Sequence, residues 1–140
     1  MMNANVITDM LVTSAKAVSG FKTVAPMPLS KVLDFAKFFT KLPAMELPAC
    51  LIVLADDEQR GARIERDINW LWIVIVKAVK GDAWRVATDL AENLRENHLN
   101  RNIQDRLYIG HESRMVVIDT PPDYCMLSVT FSSRNYGRAT

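Results

Sequence analysis

The chain has 140 residues, 49% of them hydrophobic and 24% charged, with a formal net charge of +1. That is one ordinary domain, able to bury roughly 68% of the surface its unfolded form exposes. A balance so near neutral argues against binding nucleic acid or anionic lipid through general basicity.

The opening "MMNANVITDM" has no basic segment leading into an apolar one, so no secretory signal is expected. From Val6 to Val18, the positions Ile7, Met10, Leu11, Ser14, Ala15 and Val18 recur at three- and four-residue spacing and predict a helix stopped by Gly20. "FKTVAPMP" reads as an extended connector, because residues before proline are pushed from helical angles. "SKVLDFAKFFTKL" predicts a second helix capped by Ser30 and ending before Pro43. Its phenylalanines cover more than one side, so it should pack against more than one surface.

"PACLIVLA", 48 to 55, is an apolar run closed by the acidic "DDE" and reads as a strand inside a sheet. In "ARIERDINWLWIVIVKAV", Arg63, Glu65, Asp67 and Asn69 alternate with Ile64 and Ile68 until everything becomes apolar. One long strand is expected, half exposed and then fully buried, its charged half projecting beyond the sheet as an arm or hairpin. The apolar stretch is well short of the ~20 residues that a membrane-spanning helix needs, so protein must cover it.

Asp82 is placed to cap a helix whose inner stripe is Trp84, Ala87, Leu90, Ala91 and Leu94. "RLYIG", continued by "RMVVID", and then "YCMLSVTFS" supply further strands. The expected result is a single α+β domain over 1–140. Helices lie within 4–41, a mostly antiparallel sheet of about four to five strands with the central helix fills 48–133, and 134–140 form a short tail. The core should come from Leu51, Val53, Ile73, Ile75, Leu90, Leu94, Val117, Leu127 and Val129.

Chemistry is sparse. Cys50 and Cys125 sit in apolar strand-like runs and read as buried small hydrophobes, which favours a reducing compartment. Asp56, Asp57 and Glu58 end a strand where a small metal-dependent hydrolase or nuclease could carry carboxylates. Adjacent residues diverge, however, and no second acidic strand end accompanies them. His111, Glu112 and Ser113 are consecutive and would alternate faces, which defeats triad geometry. His98 ends the central helix, where an imidazole can meet terminal carbonyls. The glycines are isolated and form no phosphate-binding pattern. No catalytic residue, cofactor or metal ligand set is expected. The mixed charges of 56–67 are the remaining candidate. A mixed-sign hairpin is most often a solvated loop. It is also a means of fixing register between neighbouring subunits, because complementary charges select partner and orientation more than they add affinity, and on that reading Asp57, Glu58, Arg60, Arg63, Glu65 and Arg66 are the contact residues.

"LPACLIVLADDEQRG", a charge-rich hairpin, "WLWIVIVKAV", "GDAWRVATDLAENLRENH" and a terminal "YCMLSVTFS" together resemble the small tail-terminator, or tail-completion, proteins of tailed Mu-like bacteriophages and prophages. The resemblance covers roughly 42–133 and is one of pattern and order. It implies a non-enzymatic α+β protein that assembles into a ring, typically hexameric, which caps the tail tube and ends its polymerisation. Its implied partners are copies of itself, the tail tube protein and head–tail connector proteins, without sequence-specific nucleic-acid binding or a membrane. The implied location is the virion, and the host cytoplasm during assembly. A non-enzymatic adaptor of the same fold is the other alternative to the hydrolase.

Overall fold

The computed structural model describes residues 3–27, 35–60, 65–78, 82–103 and 107–136. Its elements in chain order are α1 (Ala4–Lys16), β1 (Thr23–Pro26), α2 (Phe35–Lys41), a 3-10 turn (Leu42–Ala44), β2 (Ala49–Arg60), β3 (Glu65–Lys77), α3 (Ala83–His98), β4 (Arg101–Ile103), β5 (Leu107–Ile109), β6 (Arg114–Ile118) and β7 (Tyr124–Tyr136). Seven strands form one sheet in the order β1-β2-β3-β7-β5-β4, and β6 pairs with β7 alongside β5. The α+β class matches expectation, but the sheet is larger than four to five strands. Two additions explain this. The connector "TVAP" pairs parallel to β2, and "RNI" after α3 pairs antiparallel with β5. "RLYIG" and "RMVVID" are separate strands, divided at Gly110–Ser113, and β7 runs on through Tyr136 into what reads as a tail.

The sheet carries a core on each face. One face is lined by Cys50, Ile52, Ile68, Trp70, Trp72, Val74, Leu127, Val129 and Phe131 and is covered by α1 and α3. The other is lined by Leu51, Val53, Ile73, Ile75 and Met126 and is covered by Phe38 and Leu42. This explains the continuous apolar run of β3: the side chains alternate faces, and both faces are dry. The Ser30 cap expected for the second helix lies outside the described residues.

In α1, Ile7, Leu11 and Ala15 are buried, and Asn3 caps the helix by accepting from the Asn5 amide at 2.8 Å. The buried stripe of α3 is Ala83, Ala87, Leu90, Ala91, Leu94 and His98, whereas Trp84 is 46% exposed. Both Ala83 and Trp84 satisfy the three-to-four spacing to Ala87, and the small residue turned inward. Asp82 precedes α3 but makes no side-chain cap. Val117 also departs from expectation at 59% exposure, because β6 has a strand on one side alone among the described residues.

His98 closes the first core. Its Nδ1 lies 2.8 Å from the Leu94 carbonyl, which can accept but not donate, so Nδ1 carries the proton. Nε2 then accepts from Ser14 Oγ at 2.7 Å, tying α3 to α1, and the ring lies 5.2 Å from that of Trp72. Burial is the largest influence on the imidazole and pushes its pKa below the ordinary value. The unfolded chain therefore takes up this proton at higher pH than the folded one. The stability contributed by neutral His98 is full above about pH 6.5 and is lost as pH falls toward the lower folded value. Urea midpoints should thus drop between about pH 7.5 and pH 5.5. His98→Gln should flatten that slope; an unchanged slope would contradict the assignment.

Candidate assembly interface

Apart from Arg63, which lies outside the described residues, the charged residues singled out in the sequence fall on the far half of the β2–β3 hairpin. They do not form a free arm. The pairing of β3 with β7 runs from Lys77↔Tyr124 to Glu65↔Tyr136, so the charged half of β3 has a strand on both sides. Ile68 in its middle is fully buried. The reason is the length of β7, whose last residues are polar and gave no sign of being strand.

A register shift between Leu54 and Asp56 leaves Ala55 as an extra residue and exchanges the faces of β2 beyond it. Asp57 then stands opposite Ile68 on the α1/α3 face, and Asp56 opposite Asn69 on the other. Without this shift the acidic pair would present the reverse faces. Asp57 is gripped by Arg66, whose Nε lies 2.9 and 3.1 Å from the two carboxylate oxygens, with Nη2 closing a fork. This hydrogen bonding holds the Asp57 carboxyl below its usual range and raises the guanidinium, with burial opposing both shifts. On the other face Arg134 forks onto Asp67 at 2.7 and 3.3 Å, linking β7 to β3.

Of the expected contact residues, the structure brings Asp57 and Arg66 together. Glu58 pairs in register with Asp67, and Arg60 with Glu65, through their backbones. Their remaining partners, the side chains of Glu58, Arg60 and Glu65 and all of Arg63, lie outside the described residues. Asp67 and Arg134 belong to the same charged end. Sequence reasoning missed Arg134, since only the β3–β7 register places it there.

The alternative chemistries have poor geometry. Asp56 and Asp57 point to opposite faces, and Arg66 occupies Asp57. Among the described residues no three His, Cys, Asp or Glu side chains group as a metal site. Cys50 is buried, its thiol pushed up to about 12 by desolvation, and burial raises Cys125 as well; both are free thiols. His111 is exposed. No described helix is long and apolar enough to cross a membrane.

Beside the charged end, an open groove of about 480 Å³ runs over the sheet face left uncovered by α2. It is lined by Asn69, Leu71, Arg114, Thr130 and Ser132 among others. Its polar lining is Glu112, Arg114, the Asn69 amide and the hydroxyls of Ser113, Thr130 and Ser132, and neither a histidine nor a second carboxylate is among the lining residues.

No family model and no curated protein matches the chain. Among solved structures, a chain in the virion of a native gene transfer agent particle matches with a TM-score of 0.55 at 10% identity, covering 97% of this chain and 100% of that one. At that identity the likeness is one of fold, and it extends over the whole of both chains.

Proposed function

We propose that this protein is a non-enzymatic structural subunit of a phage-like particle, acting as a tail terminator. In this reading it forms a ring, hexameric by the family pattern, that caps the tail tube, ends its growth and offers a surface to head–tail connector proteins. The observation that carries the reading is the likeness of fold to a chain of a virion, which covers 97% of this chain and 100% of that one. The charged end supports it. An ordered, mixed-sign sheet end, with Asp57 and Arg66 on one face and Asp56, Asp67 and Arg134 on the other, suits selection of register between neighbours.

The test mixes purified protein with tail tubes of the same particle and looks for a terminal ring by electron microscopy. Asp57→Arg should reduce capped tubes about tenfold or more, in line with truncated charge pairs at interfaces. The exchange Asp57→Arg with Arg66→Asp restores the pair inside the subunit but not a contact with a neighbour, so it should remain defective. Full recovery in the exchange variant would show that these charges act within one chain. Tubes left uncapped by the native protein would overturn the terminator reading itself.

A further inference from the structure

Among the described residues the sheet has several open edges, and all but one of these carry a recognised protection against pairing with another chain. On β1, the amides of Thr23 and Met27 donate to Pro48 and Ile52, so alternate residues face β2. Pro26 therefore presents its donorless nitrogen to the outside and blunts that edge. β4 is three residues long, with Arg101 and Asn102 exposed. The part of β2 beyond β1 bears Asp56 and Asp57. β6, by contrast, is five residues of "RMVVI" with no proline. Its Val116 and Val117 are 39% and 59% exposed, and no strand pairs with its outer side among the described residues.

A second apolar feature lies along the same edge. Arg95 of α3 donates through Nε to Ser113 Oγ at 3.0 Å, so that side of the helix looks toward the start of β6. Trp84 is eleven residues earlier, about three turns, and so lies on the same side roughly 16 Å back along the axis. Val117 is four residues beyond Ser113, roughly 13 Å along β6. The two run antiparallel, since α3 starts just after β3 ends and its last residue His98 reaches back to Trp72, while β3 and β6 are each antiparallel to β7. Val117 pairs with Leu127 on the face that α3 covers. Exposed Trp84 therefore stands over the Val117 end of the open strand.

We propose that β6 is a self-association surface, and that its occupant is β6 of a second copy, paired antiparallel about a two-fold axis through Val116. The strand is complementary to itself in this register. Val116 meets Val116, Met115 meets Val117, and Arg114 of each copy lies opposite Ile118 and beside Asp119 of the other. The two Arg114 residues are kept at opposite ends, roughly 13 Å apart along the strand, beyond a Debye length at physiological salt. Any shift of register sacrifices the symmetric apolar centre or brings the arginines closer together. The two α3 helices then flank the joint on one face, each Trp84 covered by the other copy. Such a contact is isologous and closes at two copies, unlike the heterologous contacts of a ring, so it does not rest on the terminator reading.

The interface is small, and it should appear as a concentration-dependent monomer–dimer equilibrium in sedimentation over about 5 to 500 µM. Val116→Lys with Val117→Lys changes exposed side chains only, so the fold and melting temperature should persist while the dimer weakens about tenfold or more. Val116→Cys places thiols opposite each other at the axis, about 5 Å between Cβ atoms, and should yield a disulfide-linked dimer under mild oxidation that the native protein does not form. Three results would overturn the proposal: a monomer throughout the series, an oligomer indifferent to the double lysine variant, or a lysine-sensitive oligomer in which the Val116→Cys variant fails to cross-link.

Discussion

Trp72→Ala is expected to destabilise the protein by about 3–5 kcal/mol, a large share of the roughly 5–15 kcal/mol that holds a typical domain folded. Trp72 is fully buried at the middle of β3, stacked on Phe131 with centroids 3.8 Å apart and tilted against His98 at 5.2 Å. Removing it opens a cavity shared by β3, β7 and α3. A more discriminating comparison truncates each tryptophan to phenylalanine. Trp70 Nε1 donates to buried Ser133 at 2.7 Å, while Trp72 Nε1 is buried with no partner. Trp70→Phe loses a made hydrogen bond, whereas Trp72→Phe relieves an unmade one. The first should therefore cost about 1 kcal/mol more than the second, although the atoms deleted are the same. Urea midpoints at unchanged slope measure both; equal losses would mean that the Ser133 bond contributes nothing net.

The second large effect concerns the charged half of β3. Ile68→Ala is expected to cost about 2–5 kcal/mol, because Ile68 is 0% exposed and belongs to the core under α1 and α3. An independent arm would behave otherwise: the same substitution would loosen the hairpin and leave the domain intact. Here β7 pairs along the hairpin to Tyr136, and β5 pairs with β7 there in turn. The loss should therefore appear in the global transition, with near-ultraviolet and far-ultraviolet signals falling together. Separate transitions would show that the charged end unfolds on its own.

Both expectations depend on a distinction between local pattern and long-range pairing. The apolar run of β3 announces two dry faces, because burial on both faces leaves a strand no polar position, and eight of the nine expected core residues are buried. The helical stripe through Ala87, Leu90, Ala91 and Leu94 follows from the 3.6-residue period alone. At the first turn of α3 that period admits Ala83 or Trp84 equally, and only the sheet beneath selects between them. Val117 has the composition of a core residue, but its exposure depends on which strands lie beside β6, and no property of "RMVVI" states that.

The site follows the same division. Sequence showed a mixed-charge segment and the positions Asp57 and Arg66, since complementary charges on a hairpin are visible in one dimension. It could not show that Ala55 shifts the register and turns Asp56 and Asp57 to opposite faces, nor that Arg134 reaches Asp67 from 67 residues away. "TVAP" and "RNI" are too short to carry a period and became strands because β2 and β5 left edges to fill. What the chain determined by itself was the α+β class, the double-sided burial of β3 and the charged character of the hairpin. All of these rest on side-chain polarity at fixed local spacing. Only the tertiary structure decided the seven-stranded order, the faces of the acidic pair and the exposure of Trp84 and Val117. Each of those depends on which distant backbone supplies the neighbouring ladder.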